Sequence, residues 1–330
     1  MRPMPLTSLM RAWTTAVLLL IGMSSTVAQA PTWPDKPVKF VLSQPAGSGP
    51  DNVARLLAER LAKTWGQAVV IDNKPGGQNT IGAQAAARSS PDGHTFYFAT
   101  TAALVTNAYL FKTLPYDPQK DFTPVAFVAR SAFAVMVEAG SPLRTLADLI
   151  ARAQAAPGKL TVGSEGPRTF GGMISRVLAA QAKLDVNQVP YASVSVAVQN
   201  TLGGQVEVLV ADVASSAGLI KSGKLRVLAV SSAQRLPGLD AVPTLAETFS
   251  GFEMVGWFAL VAPSGTPAAL IARVNRDVNA VLMDREFAER VAAIGPVVDG
   301  SGGVDQLAAF LRAEHARWAT ATREIGVLPE

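Results

Sequence analysis

The chain has 330 residues, two histidines, no cysteine and a formal net charge of +4. The lack of cysteine excludes disulfides, thiolate catalysis, iron–sulfur clusters and cysteine-ligated zinc. Two histidines leave little material for a metal centre or a Ser-His-Asp triad. Lysine and arginine form no run along the chain, so we expect no nucleic-acid partner. We likewise expect no cofactor and no bound metal.

Residues 1–28 are predicted to be an export signal. Two arginines precede the apolar run 16–21, and small residues continue from there to Ala30. The run is shorter than the roughly 20 residues that a membrane span needs. Cleavage after Ala28 is favoured over cleavage after Ala30, because the latter would leave a proline directly after the cut. An uncleaved anchor remains open, whereas a lipoprotein anchor would need a cysteine. We therefore predict a periplasmic protein.

The remaining chain alternates strand-like and helix-like segments, which predicts parallel βαβ units and an α/β fold. Helices are predicted from Pro50 through Leu61 and over 145–156, and a further helix is predicted to follow the loop 164–169 and to end at about Lys183. After Pro263 we predict helices and no strand. Strands are predicted at 38–42, 68–71, 95–99, 160–162, 188–191, 206–211, 225–230 and from about 256 to 263.

Two lobes are expected from this pattern, although no low-complexity linker separates them. That absence suits a chain that crosses between lobes twice, near 125–135 and 250–258. We expect residues 29–130 and 256–330 to form lobe 1, with the last helices packed back on it. Residues 131–255 then form lobe 2.

The loop after the first strand is a candidate anion site. Gly47, Ser48 and Gly49 precede a helix that begins with Pro50, as in a dinucleotide fingerprint. The third glycine of that fingerprint is Asn52 here, and exported proteins seldom carry NAD. A glycine-rich loop before a helix N-terminus still offers N–H groups and a positive dipole end to an anion.

Three further loops share this design, at 73–79, 100–103 and 164–169. Each is rich in glycine, serine or threonine and follows a strand, where open α/β sheets bind their ligands. Any one could be an ordinary connection between a strand and a helix. Together the four loops favour a shared cleft for a small organic anion.

Catalysis is not expected. The segment around Ser164 resembles a nucleophile elbow but lacks the glycine two positions before the serine. His94, in a turn, and His315, on the terminal helix, are both predicted to be solvated. Glu165 and Asp212 end strands of the second lobe and are interpreted as helix caps rather than acid–base catalysts. An exported hydrolase is therefore only the alternative from another functional class.

Three larger side chains have two interpretations each. Arg168 lies in a Gly/Thr loop and could clamp a carboxylate with two hydrogen bonds, or it could simply face solvent. We adopt the clamp as a hypothesis for the distal end of the anion. Trp257 and Phe258 could shield a ligand, but aromatic residues on a crossing strand favour the core.

Short motifs run through essentially the whole mature sequence in a characteristic order. They are Trp33–Pro37, Pro75-Gly76, Ile81–Ala83, Pro91–Gly93, Leu114–Pro118, Asp121–Val125, Val189–Tyr191, Leu202–Val206, Gly223–Arg226, Val242–Thr244, Trp257-Phe258 and Ala262–Pro267. In this order and spacing they closely resemble the Bug family, the extracytoplasmic receptors of tripartite tricarboxylate transporters.

That resemblance implies a two-lobed Venus-flytrap fold with a cleft between the lobes, and no catalysis. It implies a small organic acid as ligand and either inner-membrane permease subunits or a sensor kinase as partner; we expect a monomer. The loops and the resemblance together predict these ligand-binding residues: Gly47, Ser48, Gly49, Asp51, Gly77, Thr100, Thr101, Ser164, Arg168, Thr169, Ala192, Ser193 and Asp212.

The chain departs from the family pattern at four of the matched positions. Ser48 and Arg168 stand where the family has glycine, Gly172 stands where it has histidine, and Ala192 stands where it has lysine. Three of the four lie in the predicted second lobe, which in this family largely determines specificity. The identity of the ligand therefore stays open.

Overall fold

The computed structural model describes residues 33–298, 302–324 and 329. The predicted export signal lies outside these residues. Backbone contacts divide the chain into Met1–Asp35 and Lys36–Glu330. In the first unit only residues 33–35 are described, and they form neither helix nor strand. All of the secondary structure reported below belongs to the second unit.

The described strands confirm the predicted α/β class. Each predicted strand is present, with ends within two residues of the expected ones. The strands are β1 (Val38–Leu42), β2 (Val69–Asn73), β3 (Thr95–Thr100), β4 (Phe122–Glu138), β5 (Thr161–Ser164), β6 (Asn187–Pro190), β7 (Val208–Asp212), β8 (Leu225–Val230), β9 (Val255–Pro263) and β10 (Val297–Val298).

Helices follow most of the parallel strands. They are α1 (Gly49–Trp65), α2 (Thr80–Ala87), α3 (Asn107–Leu110), α4 (Leu146–Ala155), α5 (Phe170–Gln181), α6 (Val194–Leu202), α7 (Val213–Lys221), α8 (Ala268–Leu282), α9 (Arg285–Ala292) and α10 (Val304–Glu324). A π-helical segment, Ala102–Thr106, connects β3 to α3. Within the described ranges, no helix has both the length and the apolar character needed to span a bilayer.

The first sheet is built on β1, which pairs in parallel with β2 and β3. Strand β9 then runs antiparallel between β3 and β4. Four of the five β1 residues are buried, because helices cover both faces of a largely parallel sheet. The carboxyl ends of β1 and β3 therefore lie at one edge, where Gln44 and Thr100 begin the loops of the site.

Strand β4 belongs to both sheets and was not predicted. It pairs with β9 as far as Ala132, and from Phe133 onward it pairs with β7 and β8. Its register with β9 shifts twice, after Pro124 and after Phe127, while the strand itself continues. Because nearly all its residues are buried, the sequence shows no alternation of polar and apolar side chains that would reveal a strand.

The second sheet repeats the plan of the first. Strands β6, β5 and β7 are parallel neighbours, and β4 runs antiparallel to β7. Strand β8 pairs with the other edge of this part of β4. The carboxyl ends of β5 and β7, at Ser164 and Asp212, therefore begin the loops that this sheet contributes to the site.

The C-terminal helices pack on the first sheet and its helices. The indole N–H of Trp65 in α1 donates to Asp277 in α8 at 2.9 Å. The indole N–H of Trp257 in β9 donates to Glu314 in α10, also at 2.9 Å. Trp257 and Phe258 are both buried, which agrees with the core interpretation for Trp257, whereas Phe258 also lines the cavity described below.

Two predictions about the C-terminal region are wrong. Helices are not alone after Pro263, because the two-residue strand β10 pairs with β4. His315 is not solvated: it is only 8% exposed and lies against Tyr109, whose hydroxyl donates to the His315 carbonyl at 2.7 Å. Burial lowers the pKa of His315, so the neutral imidazole is favoured. The face of α10 that carries His315 therefore packs toward the core, although charged residues flank His315 in the sequence.

Candidate functional site

An inner cavity of about 60 Å³ lies between the strand ends of the two sheets. Residues from both sheets line it: Gln44, Ser48, Pro50, Asn79, Thr100, Thr101, Ala102, Phe133, Glu165, Thr169, Phe170, Asp212 and Phe258. Three aromatic rings form its apolar wall, and hydroxyl, amide and carboxyl groups form the rest. This combination is typical of a site for a small polar molecule with some apolar surface.

An outer cavity of about 400 Å³ adjoins the inner one. Gln44, Asn79, Glu165 and Thr169 line both. The loop that contains Gly77 and the loop that ends at Ala192 complete the outer walls. We refer to the two cavities together as the cleft. Among the described residues that line the cleft, none is lysine, arginine or histidine.

The buried carboxylate of Asp51 holds the first loop in place through hydrogen bonds. It is 1% exposed and accepts hydrogen bonds from the Gly47 N–H, the Arg55 guanidinium and the Asn73 amide, at 2.8–2.9 Å. Burial opposes its ionisation, but these donors outweigh burial and lower the pKa of Asp51. Asp51 therefore stabilises the loop, and the Gly47 N–H is already used within the protein.

Gly49 joins the first loop to the second sheet. Its N–H donates to the Ser215 hydroxyl at 3.1 Å, and Ser215 in turn donates to Asp212 through its hydroxyl and its N–H. A Cβ atom on Gly49 would lie 2.0 Å from Asp212 Oδ1 and 2.9 Å from Ala214 Cβ. Only glycine therefore permits this approach.

Two polar atoms of the inner cavity have no partner within the described residues. Ser48 is 2% exposed and Gln44 is 8% exposed, yet Ser48 Oγ and Gln44 Oε1 make no hydrogen bond. The Gln44 amide nitrogen does have partners, Asn79 Oδ1 and Thr100 Oγ1. A buried polar atom without a partner costs about 1–3 kcal/mol, so both atoms are suited to bind a ligand.

Glu165 and Asp212 supply the charged groups of the cleft. Burial raises the pKa of Glu165 to about 7, and the nearby Asp212 carboxylate adds to the shift, while the Val194 N–H opposes it. Burial also raises the pKa of Asp212, against the hydrogen bonds from Ser215. Asp212 caps α7, as predicted, whereas Thr169 rather than Glu165 caps α5.

The profile of the tripartite tricarboxylate transporter family receptor matches residues 53–327, most of the chain. The chain belongs to this receptor family. The receptor is 31% identical to the protein BugT of Bordetella pertussis over 322 residues, which cover 94% of this chain and 98% of BugT. The predicted resemblance to Bug receptors is thereby confirmed.

Solved structures of similar receptors confirm the two-lobed fold. The structure of Rpa4515 from R. palustris with adipate has a TM-score of 0.87 and 32% identity, and it covers 90% of this receptor and 100% of its own chain. The structure of MatC from Rhodopseudomonas palustris with bound malate has a TM-score of 0.80 and 28% identity. Its alignment covers 87% of this receptor and 98% of MatC.

The cleft of the receptor includes only some of the predicted binding residues. Those that line it are Gly77, Ser48, Thr100, Thr101, Thr169, Ala192 and Asp212. The others are not among its lining residues: Gly47, Gly49, Asp51, Ser164, Arg168 and Ser193. They have structural contacts instead; the Ser164 hydroxyl accepts from the Gly166 N–H, and the Ser193 hydroxyl accepts from the Val196 N–H at the start of α6.

Several lining residues were absent from the predicted set. Gln44 and Asn79 lie in two of the predicted loops, and their polar side chains could have drawn attention to them. Phe133 lies on the unpredicted strand β4, and Phe170 begins α5 directly after the Thr169 cap. Pairing of distant strands brings these rings together, so local sequence patterns could not reveal them.

Arg168 does not line either cavity of the receptor. Its guanidinium lies over the Phe111 ring, 4.9 Å from the ring centroid, and its N–H donates to Gln78 Oε1 at 3.1 Å. The carboxylate clamp stays a hypothesis: the guanidinium stacks on Phe111, and neither residue is among those that line the cleft. Arg168 instead joins the loop after β5 to the segments after β2 and β3.

Replacement of Arg168 by alanine is expected to weaken binding of every ligand by about two- to fivefold. The physical reason is the loss of a partly exposed cation–π contact, worth about 0.5–1 kcal/mol, between loops of the two sheets. Calorimetric titration measures the change, with Lys159→Ala, an exposed lysine in the second sheet's half, as control. A loss above tenfold that is restricted to anionic ligands would support the clamp hypothesis.

Proposed function

We propose that this receptor captures a small organic carboxylate in the cleft. The supporting observation is the unpaired, buried hydroxyl of Ser48, a residue that lines the inner cavity at the start of α1. The hydroxyl can donate to a carboxylate, and the positive end of the helix dipole favours the negative charge there. Asn79, Thr100 and Thr101 supply further polar atoms along the same wall.

We propose that the ligand is held by closure of two lobes. Lobe 1 comprises residues 29–130 and 256–330, and lobe 2 comprises residues 131–255. The change of partner strands along β4 near Ala132 supports the first boundary, and the start of β9 at Val255 supports the second. The contacts of Gly49 and Arg168 then act as closing contacts between the lobes.

The proposed role of the liganded receptor is delivery to membrane permease subunits of a tripartite tricarboxylate-type transporter. Membership of the receptor family supports both this partner and a periplasmic location. We propose that the receptor acts as a monomer and catalyses no reaction. In support, neither His94 nor His315 lines the cleft, so no serine among the lining residues has a histidine base beside it there.

A thermal-shift screen of organic acids tests the proposed function. A ligand at one hundred times its dissociation constant should stabilise the receptor by about 2.7 kcal/mol. Ser48→Ala should reduce the shift for the ligand found, because it removes the proposed carboxylate donor. A panel of mono-, di- and amino-carboxylates without any stabilising member would contradict carboxylate capture.

A further inference from the structure

The charged side chains that line the cleft are all acidic. Glu165 and Asp212 are its charged side chains among the described residues, and no basic group accompanies them. Asp212 already accepts two hydrogen bonds from Ser215, and Glu165 accepts one from the Val194 N–H. A second carboxylate on a ligand would approach this wall without a compensating cation among the residues that line the cleft.

The unpaired Gln44 Oε1 provides an independent indication of the ligand. This atom belongs to Gln44, a residue that is more than nine-tenths buried and that lines both cavities. It is an acceptor, as are the carboxylates of Glu165 and Asp212. The cleft therefore presents acceptors that require hydrogen-bond donors on the ligand.

We propose that the ligand of this receptor is an amino-carboxylate, with its carboxylate at Ser48 and a separate ammonium group toward Glu165. This inference rests on the proposed function and names the class of carboxylate. An ammonium group supplies three donors and a positive charge, and both complement the acceptors of the cleft. A dicarboxylate would instead add a negative charge to the side of the cleft that already carries two carboxyl groups.

Protonation of Glu165 is consistent with this assignment. Burial and the nearby Asp212 carboxylate raise the pKa of Glu165 to about 7, so this carboxyl group can gain or lose a proton near neutral pH. A nearby ammonium group favours the ionised carboxylate and lowers its pKa, so binding at neutral pH should release protons. A dicarboxylate would favour the protonated form and cause proton uptake.

The experiment is a calorimetric titration with three series of matched probes. They are ω-amino acids of three to six carbons, the α,ω-dicarboxylates and the plain monocarboxylates of the same lengths. We expect one ω-amino acid to bind at least tenfold tighter than both of its partners of equal length. Titration in two buffers of different ionisation enthalpy reports the sign of the proton exchange, with release expected.

The variant Glu165→Gln keeps the shape of the side chain and an acceptor for the Val194 N–H, so its unliganded melting temperature should match the native one. It should lose at least tenfold in affinity for the ω-amino acid and much less for the monocarboxylate. Glu289→Gln is the matched control, since Glu289 is 63% exposed and pairs with Arg285 on the surface.

Tighter binding of a dicarboxylate than of its amino analogue would overturn the inference while leaving carboxylate capture intact. Unchanged affinity of Glu165→Gln for the ω-amino acid would overturn it as well. Failure of all three series to bind would contradict the proposed function itself, and the inference with it.

Discussion

Gly49→Ala is expected to weaken ligand binding by about ten- to hundredfold while the protein remains folded. The added methyl group would overlap Asp212 Oδ1 and crowd the Ala214 methyl group. Asp212 cannot easily rotate away, because Ser215 holds its carboxylate with two hydrogen bonds. The proposed closed arrangement must open slightly, and overpacking of this kind costs about 1–3 kcal/mol. Calorimetric titration measures the loss of affinity.

A second glycine provides the control for this prediction. Gly218 lies within α7, and a Cβ atom there would meet nothing within 4 Å. Gly218→Ala should leave affinity unchanged and stabilise the helix by up to about 1 kcal/mol. If Gly49→Ala bound the ligand as tightly as Gly218→Ala, the contact of Gly49 with Asp212 would not belong to the binding-competent state.

Asp51→Ala is expected to lower the free energy of unfolding by about 2–4 kcal/mol. The substitution removes a buried carboxylate and leaves the Gly47 N–H and the Asn73 amide without their acceptor. Denaturant unfolding measures this effect. Since the Gly47–Ser48 loop then loses its support, ligand affinity should fall in the same variant, although Asp51 does not line the cleft.

The contribution of Asp51 has a defined pH dependence. Its pKa in the folded protein lies below its ordinary value of 3.8. The stabilisation is therefore fully present above the unfolded pKa and is lost as the pH falls through the folded one. The difference in stability between native protein and Asp51→Ala should shrink in acid. A stability difference between native protein and Asp51→Ala that stayed the same at every pH would refute the role of Asp51.

Local sequence patterns predict the first loop and its helix well. Pro50 at the first helical position and Asp51 in the first turn are the signals expected of a helix start, and α1 does begin at Gly49. Most of the predicted strands contain an apolar run bounded by turn residues, and that pattern located them. The order of the short motifs indicated the receptor family without any structure.

The groups that surround the ligand could not be predicted in this way. The Gly47 N–H donates to Asp51, and the Gly49 N–H donates to Ser215. The start of α1 therefore offers a ligand fewer free donors than its sequence suggests. Arg168 stacks on Phe111, 57 positions earlier in the chain. Glu165 becomes significant only through its proximity to Asp212 and its burial. These are long-range contacts, which local periodicity does not encode.

A crystal structure of the receptor with the tightest-binding acid from the screen tests carboxylate capture most directly. We predict that the ligand lies in the inner cavity and that one carboxylate oxygen accepts a hydrogen bond from Ser48 Oγ at 2.5–3.0 Å. Loops of both sheets should contact it, through Thr100 on one side and Thr169 on the other. A ligand bound outside the cleft, or bound within it without its carboxylate near Ser48, would contradict the proposed site.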